Sequence, residues 1–277
     1  MTAPTPAAGT APSAADRSPA WSGGAGLRVA VRRKAYAGGP AVLGGLEFTV
    51  DRGEFVTLLG SSGCGKTTLL RLIAGLDTDY DGEITVAGVP VRGPGPDRGV
   101  VFQESRLLPW LTAEQNVAFA LPAGVPRAER ARRVAQILEL VHLSAAARAW
   151  PHQLSGGMEK RVALARGLVN LPAVLLLDEP LAAVDLSVRF ALQEEVARVH
   201  DRERLTTLLV THDVDEAVHL SDRVLVVGGR PARVTEEVRI DLPRPRSRSA
   251  AAVLALRQSV AELVLEAGAD GKLCPGG

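Results

Sequence analysis

An α/β fold built around a phosphate-binding loop is what this sequence predicts, and three observations carry the prediction. A glycine-rich loop, "GSSGCGKT" (60–67), lies between a short apolar strand and a helix with apolar residues at helical spacing. Two dense aliphatic runs, "AVLLLDEP" (173–180) and "TTLLVTHD" (206–213), have the composition of strands buried on both faces of a parallel sheet. Short alternating runs at 27–55 and 82–91 read as antiparallel β structure, whereas residues from about 111 to 169 change to helical periodicity.

Residues 1–26 are rich in Ala, Pro, Ser, Thr and Gly, without a basic start or an apolar core. Such a segment is neither a signal peptide nor a membrane anchor, and its composition predicts a disordered tail. "GEFVTLLG" (53–60) is a buried strand by length and apolarity, and "KTTLLRLIAGL" (66–76) is a helix through Leu69, Leu70, Ile73 and Leu76. "RGVVFQ" (98–103) is a compact strand that ends at a glutamine. "PRAERARRVAQILELVHL" (126–143), "GGMEKRVALARGLV" (156–169) and "ALQEEVARVHDRE" (191–203) have helical periodicity. "RVLVVGGRPARV" (223–234) predicts a hairpin closed by a Gly-Gly turn. The order of strands in the sheet is not readable from these runs.

The 277 residues carry 32 basic and 31 acidic side chains, and that balance asks for no nucleic-acid partner. No stretch approaches the roughly 18 consecutive apolar residues of a membrane span. The two cysteines, Cys64 in the loop and Cys274 near the C-terminus, are poorly placed for a bridge, which predicts reduced thiols and a cytoplasmic chain.

The loop explains its own residue types. Glycines let the backbone curl so that successive N–H groups point inward, and the following helix adds the positive end of its dipole. Lys66 would reach the β- and γ-phosphates of a nucleotide, and the Thr67 hydroxyl would ligate Mg²⁺. A plain glycine turn would leave the lysine and the paired threonines, Thr67 and Thr68, unexplained. Ligands of parallel sheets sit outside the carboxyl ends of the strands, and here those ends are polar: Gln103, Asp178 with Glu179, and His212 with Asp213. Asp178 would hold the Mg²⁺, directly or through water. Glu179 would polarise the attacking water, a role worth roughly 10²–10⁴-fold in rate. His212 taken alone reads as a structural hydrogen-bonding residue; beside the other strand ends it becomes a candidate sensor of the γ-phosphate. "LSGGMEK" (154–160) places Ser155, Gly156 and Gly157 before a helix, which by itself is an ordinary N-cap.

Together these segments resemble the ATP-binding subunit of an ABC transporter, from residue 27 to about 242. "GSSGCGKT" is similar to Walker A, Gln103 to the Q-loop glutamine, "LSGGM" to the signature and "LLLDEP" to Walker B. Asp185 in "AAVD" corresponds to the D-loop and His212 in "VTHD" to the switch histidine. The resemblance implies a P-loop ABC ATPase with a RecA-like core, an antiparallel β subdomain and an α-helical subdomain at about 104–169. It also implies a partly helical C-terminal extension at 243–277. ATP would be held by Tyr36, Gly60, Ser61, Ser62, Gly63, Cys64, Gly65, Lys66, Thr67 and Thr68, and across a head-to-tail homodimer by Ser155, Gly156, Gly157 and Asp185. Mg²⁺ would be held by Thr67, Gln103 and Asp178, with Glu179, His212, Gln103 and Lys66 serving hydrolysis. Met158 departs from the usual signature glutamine, and "EK" at 159–160 from a more usual basic–Gln pair. Neither change touches Ser155 or its two glycines.

"FQESRLLPW" and "DLPRPR" are similar to importers of the nitrate, sulfonate and taurine group, most of all to aliphatic sulfonate importers. The implied partners are transmembrane permease subunits and an extracytoplasmic substrate-binding protein, with this chain peripheral on the cytoplasmic face of the membrane. Part of the cluster Leu107, Leu108, Trp110 and Leu111 would line the groove that receives a permease helix. A soluble ABC protein of translation or DNA repair would carry paired ATPase domains or long coiled-coil insertions. A P-loop kinase or GTPase would have no use for "LSGGM".

Overall fold

The computed structural model describes residues 26–182 and 185–270. The tail expected at 1–26, apart from Gly26, lies outside the described residues, as does Cys274; Cys64 is a free thiol.

Strands β1 (Leu27–Ala35) and β2 (Ala41–Val50) pair antiparallel and lead into β3 (Phe55–Leu59), followed by helix α1 (Lys66–Ile73). Next come β4 (Asp81–Val86), the two-residue β5 (Val89–Pro90) and β6 (Arg98–Val101). Three helices then follow: α2 (Ala113–Phe119), α3 (Arg127–Leu140) and α4 (Gly156–Leu168). The chain returns through β7 (Val174–Asp178), α5 (Leu186–Glu203), β8 (Thr207–Thr211) and α6 (Val214–Leu220). It ends in β9 (Arg223–Gly228), β10 (Arg233–Arg239) and α7 (Ala251–Asp270).

The strands form two sheets. One has four strands in the order β2-β1-β4-β5, all antiparallel; the other has six in the order β10-β9-β3-β8-β7-β6. In the second, β9, β3, β8, β7 and β6 run parallel, and the β9–β10 hairpin adds one antiparallel edge. The loop-bearing strand β3 is therefore central.

Alternation along β7 explains why its run is aliphatic throughout. Val174 and Leu176 face a core shared with the four-stranded sheet and with Leu69, Leu70, Leu72 and Ile73 of α1. Leu175 and Leu177 face the opposite core, built from α2, α3, α4 and α5. With both faces of β7 buried, every position before Asp178 is filled by an aliphatic side chain.

"DLPRPR" has a structural reason. Arg246 is buried, and its guanidinium donates to the carbonyls of Val218, His219 and Ser221, filling acceptors left at the end of α6, and to that of Leu242 in its own segment. Burial pulls its pKa down to about 10. Arg244 beside it pairs with Asp201 and Asp222. Arg246→Met should therefore lower the stability by about 3 kcal/mol, since several buried carbonyls lose a charged donor. Thermal unfolding checks this, and an unchanged Tm would contradict it.

Candidate functional site

Residues 60–65 join the end of β3 to α1, and two glycines have specific reasons to be there. A Cβ on Gly60 would lie 2.5 Å from the Val227 carbonyl oxygen of β9, too close for any side chain. Gly65 has φ 101°, in the left-handed region, and caps α1 without a side chain. No cap side chain competes for the N–H groups of the first turn, which remain donors for an anion. Lys66 is 5% exposed, and its Nζ donates to the carbonyls of Gly60 (2.8 Å) and Ser61 (2.9 Å), with Cys64 Sγ at 3.9 Å. The ammonium thus lies inside the curl of the loop.

The neighbouring strand ends converge on this loop. The Thr67 hydroxyl donates to Asp178 Oδ1 at 3.3 Å, across 111 residues of sequence. Burial pushes the Asp178 carboxyl above its ordinary pKa, with Glu179 adding like charge and the Thr67 hydrogen bond opposing both. Glu179 follows β7 at φ 44°, a left-handed conformation uncommon for a residue with a side chain, while its N–H donates to the Val210 carbonyl at 2.9 Å. Its Oε1 lies 3.0 Å from His212 Nδ1. The two candidate groups for activating water and sensing phosphate are therefore in direct contact.

Tyr36 is 47% exposed beside the same loop, its hydroxyl 3.3 Å from Thr68 Oγ1 and its ring 4.8 Å from Lys34 Nζ. Gln103 follows β6 with its side chain exposed, and its carbonyl accepts a hydrogen bond from Lys160 Nζ.

Ser155, Gly156 and Gly157 lie elsewhere. Ser155 caps α4, its Oγ accepting from the Met158 N–H at 3.3 Å. Gly156 faces open space, whereas a Cβ on Gly157 would lie 2.8 Å from Val188 of α5. Because α4 packs on the Leu175–Leu177 face and α1 on the Val174–Leu176 face, the sheet separates this cap from Lys66. Asp185 is exposed at the N-cap of α5; Ala183 and Val184 before it lie outside the described residues. One chain brings together Lys66, Thr67, Asp178, Glu179 and His212, and leaves Ser155–Gly157 apart.

Sequence reasoning passed over two features. A small cavity of about 90 Å³ behind the Glu179–His212 pair is lined in part by Arg189, Asp213 and Glu216. Arg189 Nη1 reaches Asp213 Oδ2 at 3.2 Å, and Asp213 Oδ1 caps α6. Glu216 is 3% exposed and its Oε1 has no hydrogen-bond partner. Its signal was its place in the first turn of the helix that follows His212. Lys160 had been visible only as a departure from the signature pattern.

A phosphate-binding loop, a strand-end carboxylate pair and a histidine on one of those carboxylates define a P-loop nucleotide-hydrolysing ATPase. The family model described as ABC transporter matches residues 43–182. The chain is 49% identical over 241 residues to the aliphatic sulfonates import ATP-binding protein SsuB 1 of Xanthomonas axonopodis pv. citri, covering 86% of this chain and 95% of that one. It is 47% identical over 223 residues to an uncharacterized ABC transporter ATP-binding protein of Methanocaldococcus jannaschii, covering 80% and 84%. A solved dimeric ATP-binding cassette, in a post-hydrolysis state bound to ADP and Pi, superposes with a TM-score of 0.67 at 29% identity. That likeness covers 78% of this chain and all of the solved one. The chain belongs to the ABC transporter ATP-binding family, and it is an ATPase of the kind coupled to transport.

Burial raises the Glu216 pKa from 4.5 to about 7, so the folded state holds a proton that the unfolded state releases. The resulting stability is fully present below pH 4.5 and is lost as pH rises through about 7. The span corresponds to on the order of 3 kcal/mol. Glu216→Gln should therefore raise Tm relative to the parent at pH 8 and not at pH 5. Melting curves at the two pH values check this; an equal shift at both would contradict it.

Proposed function

We propose that this chain binds and hydrolyses ATP to power an importer of aliphatic sulfonates. In this reading it acts as a head-to-tail homodimer, peripheral on the cytoplasmic face of the membrane. The observation that carries the reading is the 3.0 Å contact between His212 and Glu179 beside a loop whose lysine is buried in its curl. The sulfonate preference rests on the SsuB relatives. Because the transported substrate does not enter this site, taurine or nitrate import is the second reading, favoured by the same "LLPW" and "LPRPR" segments.

The residues divide the work. Lys66 neutralises and orients the β- and γ-phosphates, helped by the N–H groups from Gly60 to Thr67, and Thr68 lies beside them. Tyr36, exposed next to Thr68, offers a face to the adenine. Glu179 accepts a proton from the attacking water, and His212 holds that carboxylate in direction. A Mg²⁺ ion would be held by Thr67, Asp178 and Gln103 with the nucleotide's own oxygens. Among the described residues no cluster of three or more His, Cys, Asp or Glu forms a cage, which suits an ion bound through few protein ligands plus phosphate. The buried Asp178 carboxyl, disfavoured as an anion where it stands, is the kind of group a cation relieves. When bound, Mg²⁺ would neutralise charge developing on the phosphate oxygens.

Ser155, Gly156, Gly157 and Asp185 would complete the site from a second chain, their exposed cap meeting the γ-phosphate there. An extracytoplasmic binding protein would deliver substrate to the permease. No helix among the described residues is long and apolar enough to cross a membrane, so membrane contact in this reading goes through the permease. Of the four residues expected to offer a docking groove, Leu107 packs on the helical core, and Leu108 and Leu111 are only half-buried. Trp110 is 67% exposed, at the tip of a loop that buried Asn116 pins through Leu108, Leu111 and Thr112. Trp110 is a member of the cluster expected to line the docking groove, and in this reading it offers that groove the most exposed surface.

The test is growth. Cells lacking this chain should fail to use an alkanesulfonate as sulfur source, grow on sulfate, and recover with the parent chain but not with Glu179→Gln. Unchanged growth on alkanesulfonate together with lost uptake of taurine or nitrate would favour the second reading.

A further inference from the structure

The segment after β6 is held by one helix at three successive points. Lys160 Nζ donates to the Gln103 carbonyl. Arg166 Nη2 donates to the Ser105 carbonyl and Nη1 to the Arg106 carbonyl, both at 2.7 Å. Lys160 and Arg166 lie six residues apart on α4, the helix that Ser155 caps. Both cations are partly taken out of water. Burial lowers the Lys160 pKa, with Glu159 and Glu104 opposing, and burial alone lowers that of Arg166. A half-buried cation spending its donors on backbone carbonyls makes a charge-assisted bond, stronger than a neutral one. Arg106 contributes from the other side, with φ 45° and its guanidinium 4.8 Å from the Phe102 ring centroid. The backbone from Phe102 to Arg106 is thus bent toward α4 and pinned there.

Resting on the function proposed above, we propose that Lys160 and Arg166 form a latch joining the segment around Gln103 to α4, with Lys160 as a positioning residue for Gln103. The latch makes the loop that carries Gln103 and leads to Trp110 move as one body with the cap at Ser155. A change of position felt at Trp110 is then transmitted to Gln103 on the chain's own ATP and to Ser155 at the partner's. This gives a role to the lysine at 160: its ammonium reaches a backbone carbonyl on another element and draws the strand end toward the helix.

Lys160→Met keeps the aliphatic stem and removes the donor, and Lys160→Arg keeps a donor. Hydrogen–deuterium exchange of the peptide spanning 102–108, without nucleotide or metal, should rise roughly tenfold in Lys160→Met. It should return toward the parent rate in Lys160→Arg, with Tm nearly constant across the three. In the same proteins kcat for ATP should fall severalfold in Lys160→Met with KM little changed, and recover in Lys160→Arg. Gln103→Ala serves as the control for the loop. If Gln103→Ala lowers kcat while Lys160→Met changes neither exchange nor kcat, the latch is overturned and the ATPase assignment stands. If Gln103→Ala is itself silent, the role of Gln103 falls and the latch falls with it. A Lys160→Met protein that loses Tm and activity together, unrescued by arginine, marks ordinary packing and also overturns the proposal.

Discussion

Backbone pairing among β3, β8 and β7 is the interaction on which the rest depends. Leu59 pairs with Thr211, and Asp178 with Val210, so three strands end at nearly the same level. That register puts Lys66, the Asp178–Glu179 pair and His212 within reach of one another although they come from distant parts of the chain. A slip by one residue would exchange the cores that the β7 side chains face and take Asp178 off the level of Val210. The aliphatic runs that bury both faces of these strands hold the register, and so the cores position the chemistry.

The same sheet imposes a second constraint. Its two faces are covered by different layers, α1 with the antiparallel sheet on one side and helices α2, α3, α4 and α5 on the other. A cap on α4 cannot reach the loop that starts α1 without crossing the sheet. In the function proposed above, two phosphate-friendly helix starts in one chain would become useful together when two chains meet head to tail, each supplying what the other lacks. In that same reading, the bonds from α4 to the Gln103 segment would tie one half of each site to the other through a single helix.

Much of this was legible in the sequence for physical reasons. The loop could be read because positive φ and close backbone approach require glycine, and Gly65 and Gly60 meet those two needs. The strands could be read because burial on both faces leaves a continuous aliphatic run, as in Val174–Leu177. Strand order could not be read, since it is set by pairing between segments whose compositions are alike. Contacts made by long side chains to distant backbone were equally hidden. Lys160 on Gln103, Arg246 on the end of α6 and Asn116 on the Trp110 loop bond to carbonyls, which every residue possesses. Which members of the cluster Leu107, Leu108, Trp110 and Leu111 are exposed could not be read, because an apolar residue in a loop reads the same whether it faces a core or solvent. Only packing shows that Trp110 is the exposed member.

The central claim is that each ATP site is built from Lys66 of one chain and Ser155 of another. ATPase activity of mixed variants measures this directly. Lys66→Ala and Ser155→Arg should each be nearly inactive alone, because every site in such a dimer lacks one half. Mixed in equal amounts, they should regain a measurable share of turnover, since a mixed dimer contains one site with both halves intact. A Ser155→Arg protein that hydrolyses ATP at the parent rate by itself, or a mixture that remains as inactive as its parts, would contradict the account.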